Sequence, residues 1–348
     1  MKRIIGFLPV LLLLFQLFVI TGCGHNNNNV TDSLVLSFQD PGDNDFPVDE
    51  FFSLEKKLDI VDSGEYLLSS VNCVFYNDDY AFLLDGRFAV SKVDLNTGKI
   101  VKQICQVGRG PQDYLRPVNI TGDKDHIYLL DFDSKRVHVY DLDLNHQDRF
   151  DVDYIPSPSS FTKTKDGFIF LNSNEDTKLG AYVLTDDRGV KKASYLELKS
   201  EPVYAEGEMV FRVVYTDNCF FAGTDGKMAC YYNNTNEMYL YDGKTFKKQF
   251  TVKPDDNLEG TRGVNIAKVW SLNGKTLVGY RCDFKPSLGL FDKDGNLLAY
   301  GHGKNVAQSF PIYPSGDRVL LLIQMQDLLE KQGADKSVQA QILLYRSK

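Results

Sequence analysis

Val118-Asn-Ile-Thr121, Ile127-Tyr-Leu-Leu-Asp131, Arg136-Val-His-Val-Tyr-Asp141 and Arg149-Phe-Asp-Val152 decide the fold. These are four short runs, rich in β-branched and aromatic residues, separated by Gly122-Asp-Lys-Asp125, Phe132-Asp-Ser134 and Leu142-Asp-Leu-Asn145. Runs of four to six such residues between polar turn clusters read as strands joined by hairpins. Helical periodicity is almost absent; the exception is an amphipathic stretch from Met325 to Gln332, expected to be a short insertion.

The same unit recurs along the chain. Its second strand begins near residues 81, 127, 168, 228, 276 and 318, a spacing close to the roughly 40–50 residues of a four-stranded propeller blade. The strand before it is expected at Ser70 to Tyr76, Val118 to Thr121, Ser159 to Thr164, Met209 to Thr216, Val264 to Trp270 and Gln308 to Tyr313. Four strands in six units predict an all-β fold, a six-bladed β-propeller over residues 34–348. The sixth unit lacks an outer strand. An N-terminal strand, either Leu34 to Phe38 or Phe52 to Ile60, is expected to supply it and close the ring, removing an unpaired edge. A pair of β-sandwiches is the competing architecture; six regular units without a linker argue against it.

The chain has 348 residues, 43% hydrophobic and 25% charged, with a formal net charge of −8. An acidic chain without a basic block lacks the phosphate-neutralising surface that nucleic-acid binding needs, and equally a polybasic contact with anionic lipid. The N-terminus carries its own information. Lys2 and Arg3 precede an apolar run, Ile4 to Ile20, that ends in Ile20-Thr-Gly-Cys23. A basic start, a short apolar core and small residues before a cut site make a secretory signal over residues 1–22. The run is short for a membrane span and contains Pro9 and Gln16. Its last four residues resemble a bacterial lipobox, which implies lipidation of Cys23 and stable anchoring in the cell envelope, at the outer membrane. Residues 23–33, polar and Asn-rich, read as a tether. It lacks the acidic residues that usually follow the lipid-bearing Cys of surface-exposed lipoproteins, so the membrane face stays open. Asp32-Ser-Leu34 resembles a short O-glycosylation motif and reads equally as a turn. Of the five other cysteines, Cys219 and Cys230 flank a turn and could face each other; the preferred reading of all five, Cys73, Cys105, Cys219, Cys230 and Cys282, is small buried hydrophobes.

Motifs for chemistry are few. There is no His-Glu-x-x-His and no Gly-x-Ser-x-Gly. Asp141-Leu-Asp-Leu-Asn145 resembles the start of a calcium loop but lacks the glycine and the final glutamate, so a hairpin is expected. His126, His138, His146 and His302 are scattered. In a propeller the connections from one blade's outer strand to the next blade's inner strand gather on one face, and ligands of such folds are sought there. Those connections carry the candidate ligand-binding residues: Arg109, Tyr114 and Arg116 in Gln106 to Pro117, then Tyr154, Tyr204, Arg262 and His302. Arginines offer hydrogen-bonded charge and tyrosines an amphipathic surface, a combination suited to a peptide, protein or glycan. The alternative for the first loop is a structural clamp built on its glycines and proline.

That loop, Gly108-Arg-Gly-Pro-Gln-Asp-Tyr114 after Lys99-Ile-Val-Lys102, together with the lipobox, resembles the TolB-like six-bladed propeller lipoproteins of Bacteroidetes, with Gln112 in place of their usual glycine. The resemblance implies fold and location and brings no catalytic residues. The expected function is a non-catalytic, lipid-anchored binding or scaffold module without a cofactor. The alternative is a propeller enzyme. It would be a metal-dependent lactonase using Asn72, Asn119 and Asn265, or a glycan lyase or hydrolase using Tyr204, Glu206 and Glu208.

Overall fold

A computed structural model describes residues 34–61, 64–172, 179–196, 203–205, 208–210, 220–222, 228–232, 236–258, 264–304, 306–307, 310–324, 327 and 337–348. Signal, tether, Cys23, Cys219 and Arg262 lie outside them, as does nearly all of the stretch expected to be helical after Met325. Leu34–Phe38 (β1) and Phe52–Val61 (β2) flank one helical turn, Val48–Phe51 (α1). Blade one follows as Val71–Tyr76 (β3), Tyr80–Asp85 (β4), Val90–Asp94 (β5) and Ile100–Ile104 (β6). Blade two is Pro117–Gly122 (β7), His126–Asp131 (β8), Arg136–Asp141 (β9) and His146–Asp151 (β10); blade three is Pro158–Thr164 (β11), Gly167–Asn172 (β12), Tyr182–Thr185 (β13) and Lys191–Tyr195 (β14). A two-stranded hairpin, Val203–Ala205 (β15) and Glu208–Val210 (β16), leads to blade four: Phe220–Ala222 (β17), Met228–Tyr232 (β18), Glu237–Tyr241 (β19) and Phe246–Pro254 (β20). Blade five is Asn265–Leu272 (β21), Lys275–Cys282 (β22), Lys285–Phe291 (β23) and Leu297–His302 (β24). Blade six is Ile312–Ser315 (β25), Arg318–Gln324 (β26) and Val338–Ser347 (β27). The six-bladed propeller of four-stranded antiparallel blades is therefore the fold.

Ring closure comes from β2, which pairs antiparallel with β27 from Phe52↔Ser347 to Val61↔Val338. Of the two closing strands expected, the second is the one used. The first, β1, instead adds a fifth strand to blade four, parallel to β20. A second expectation is corrected in blade four. The strand beside β18 is β17; of the expected 209–216, Met209 and Val210 belong to the separate hairpin and 211–216 lie outside the described residues.

The middle strands carry the packing. Phe168-Ile-Phe-Leu171 is fully buried, with Phe168 and Phe170 packed toward blade two and Ile169 and Leu171 toward blade four. In blade one, Phe82 and Leu84 face blade two while Ala81 and Leu83 face blade six. A strand buried on both sides reads as a continuous apolar run, and each such Phe or Leu contributes roughly 1.5–3 kcal/mol. The seams between blades are thus the core, and blades four to six share one large cluster around Trp270 and Phe310.

Each innermost strand runs toward the turn before the second strand. Antiparallel pairing puts those turns and the third-to-fourth turns on one face, here called the turn face. The connections between blades and the second-to-third turns lie on the other, the connection face. Among the described residues no helix is long and apolar enough to cross a membrane.

Candidate functional site

The Gln106–Pro117 connection is held from all sides. The Asp113 carboxylate folds over Gly108 and Gly110, and a methyl group on either would force it to shift. That carboxylate accepts the Gly110 amide at 2.7 Å. Tyr114 is wholly buried; its hydroxyl donates to the Phe88 carbonyl at 2.8 Å and accepts the Gln106 amide at 3.0 Å. Buried Asp131, the last residue of β8, accepts the Leu115 and Arg116 amides at 2.8 and 2.9 Å and the Ser134 hydroxyl. Burial opposes its charge, but these donors outweigh that and hold the carboxyl below the usual carboxylate range. Asp85 plays the matching part in blade one, accepting the amides of Ser69, Arg87 and Ala89.

This geometry corrects several of the candidate ligand residues. Tyr114 belongs to the core of the seam between blades one and two. Arg116 is exposed but directed onto Asp133, with Nε and Nη2 donating at 3.0 and 2.6 Å, and it lies over the Phe132 ring. Tyr154 is 37% exposed and donates to the Gly189 carbonyl at 2.7 Å, joining blades two and three. Desolvation, with Asp186 and Asp153 nearby, pushes its hydroxyl up to about 12. His302 is a buckle for the N-terminal segment. Its Nε2 donates to the Gly42 carbonyl at 2.9 Å, its Nδ1 meets Ser287 Oγ at 3.0 Å, and its backbone bridges Asp45. Of the described candidates, Arg109 alone is exposed at a loop tip with no side-chain partner among the described residues. The Tyr204 side chain, like Arg262, lies outside the description.

The structure instead brings a site together inside the channel. A cavity of about 160 Å³ is lined by Val74 to Tyr76 of β3, Asn119 to Gly122 of β7, Ser160 to Lys163 of β11, Met228, and Ile312 to Ser315 of β25. These are mostly the later residues of the innermost strands, so the cavity belongs to the half of the channel next to the turn face, opposite the expected one. Each of these four strands ends its sheet, so one backbone edge of each is left without a strand partner. Ser160 and Thr162 add hydroxyls from a buried strand, and Asn119 Nδ2 donates to Ser160 Oγ at 3.4 Å. The cation in the wall, Lys163, is occupied: Nζ lies 2.9 Å from Asp187, donates to the Thr164 carbonyl at 2.6 Å and sits over the Phe168 ring. Composition hid this site. Small hydroxyl side chains at the ends of inner strands were its only signal.

Other candidates dissolve into structure. Asp141 accepts the amides of Asp143 and Asn145, the bonding of a hairpin turn rather than of a calcium loop. Asn72 is exposed, Asn265 accepts from Arg281 at 3.1 Å, and Asn119 is buried. No three His, Cys, Asp or Glu side chains converge among the described residues. Cys73, Cys230 and Cys282 are buried, as small hydrophobes would be, whereas Cys105 is exposed and departs from that reading; Cys230 stands opposite Phe220.

Residues 24–294 match the DUF5128 family model, 6-bladed beta-propeller, and the chain belongs to that family. No curated protein matches. Among solved structures, a Bacteroides fragilis protein described as a "Putative exported protein" is 16% identical with a TM-score of 0.68, over 90% of this chain and 99% of that one. A DUF4221 family member from Bacteroides vulgatus is 10% identical with a TM-score of 0.56, over 85% and 98%. Both likenesses concern the fold alone.

Proposed function

We propose that this chain is an exported, lipid-anchored binding module of the cell envelope, held at the outer membrane through Cys23. It takes its ligand, without catalysis, in the channel cavity beside the turn face. The observation that carries this reading is the cavity itself. It joins four strand edges without strand partners and several hydroxyls around one space, whereas the described connection-face candidates other than Arg109 are spent on contacts within the fold. The basic-apolar-lipobox order of residues 1–23 supports the anchor, and the fold neighbour described as exported agrees with it.

Two experiments test this. Cys23→Ala should move the protein from the membrane to the soluble fraction of the producing cell; unchanged membrane retention refutes the anchor. For binding, the soluble chain from Asn29 is screened by thermal shift against neutral and charged oligosaccharides and peptides, since a ligand of the native state alone raises Tm. Any shift should disappear in Thr121→Trp and in Ser315→Trp, which crowd the cavity from two sides. A shift that survives both variants refutes the site.

A further inference from the structure

The channel cavity has a size, a wall chemistry and a charge balance, and together they select a class of ligand. Its volume of about 160 Å³ is near the roughly 150 Å³ that seats one six-membered ring, and well below the roughly 300 Å³ where drug-sized pockets begin. One ring fits, not an extended chain. The wall offers strand-edge N–H and C=O groups in alternation, with the hydroxyls of Thr121, Ser160 and Thr162 among them. A hydroxyl both donates and accepts, so a hydroxylated ligand can answer either kind of wall group. A carboxylate only accepts and an ammonium only donates.

Charge points the same way. Among the described residues no carboxylate lines the cavity, and Lys163 is neutralised by Asp187. A charged ligand would leave water without a free counter-charge, which disfavours a poorly paired ion. Phe75, Met228, Ile312 and Pro314 add apolar surface beside these polar groups. A ring with a polar rim and a C–H face matches a wall that mixes polar groups with hydrocarbon.

Building on the channel-site reading above, we infer that the cavity receives one neutral pyranose unit, such as the end residue of a glycan. The test uses the soluble chain from Asn29 and saturation-transfer NMR. The probes are neutral methyl pyranosides, glucuronic acid, glucosamine and a short neutral peptide. At least one neutral pyranoside should give saturation transfer, with glucuronic acid and glucosamine at least tenfold weaker. Thr162→Val, which keeps shape and removes one buried hydroxyl, should weaken the neutral sugar about tenfold, the factor for one lost hydrogen bond. Thr121→Trp should abolish it. A charged sugar or the peptide binding better, in a manner still abolished by Thr121→Trp, overturns the sugar assignment and leaves the channel site standing. Binding indifferent to Thr121→Trp, or none from any probe, overturns the sugar assignment; in the first case the channel site falls with it.

Discussion

His138 gives the sharpest test of how the blade seams hold. Its ring is fully buried between blades one and two, edge-on to Tyr114 at 6.1 Å and 5.8 Å from His146, and neither ring nitrogen has a hydrogen-bond partner among the described residues. Burial, opposed by Asp131 and reinforced by His146, Arg149 and Arg136, pushes its pKa down from 6.5 to about 4. The unfolded chain takes up the proton near pH 6.5, while the folded chain refuses it until about pH 4. Stability is therefore lost as pH falls through that window. At roughly 1.36 kcal/mol per pH unit the full loss is about 3 kcal/mol, and about 2 kcal/mol is already gone at pH 5. The assay is urea unfolding followed by Trp270, the single tryptophan, which is buried in the seam between blades five and six. With an m-value near 3 kcal/mol/M for a large domain, His138 should account for about 0.7 M of the midpoint shift between pH 7 and pH 5. His138→Leu keeps the seam filled and removes the proton site, so its midpoint should move about 0.7 M less than wild type. Equal shifts in both proteins would refute the reasoning, because other groups would then carry the acid sensitivity.

Asp131→Ala strips the acceptor from two backbone amides and the Ser134 hydroxyl, and should cost about 2–4 kcal/mol in the same urea assay. It should also expose the connection to trypsin, read by mass spectrometry as new cleavage after Arg109. Since the Asp131 carboxyl is held below 3.8, its contribution is present above that pH and lost as pH falls through the folded value. Ile60→Ala, in the strand that closes the ring, should destabilise by about 3 kcal/mol, whereas Leu54→Ala, half exposed on the same strand, should change stability by about 0.5 kcal/mol or less.

The blades were legible because their middle strands are buried on both faces and bracketed by Asp and Gly turns, as at Phe168-Ile-Phe-Leu171 or around Asp141. What failed were choices between equally apolar segments. Leu34–Phe38 and Phe52–Val61 have similar strand character, and only the closed ring decides which meets β27. In blade four a longer apolar run around 209–216 masked the three-residue strand Phe220–Ala222. The site was less legible still. Tyr114, Arg116 and His302 have the right chemistry for a ligand, but whether a side chain is free depends on distant partners such as Phe88, Asp133 and Gly42. The channel cavity is made of backbone edges and small hydroxyl residues from four separate blades, and no local motif marks such a surface.

The central claim is that the ligand enters from the turn face. Photo-crosslinking in intact envelopes tests it directly, with p-benzoylphenylalanine placed at Ser315, on the cavity rim, or at Arg109, exposed on the connection face. A ligand adduct formed from position 315 and absent from position 109 is the predicted result. An adduct from position 109 alone would return the site to the connection loops and contradict the account.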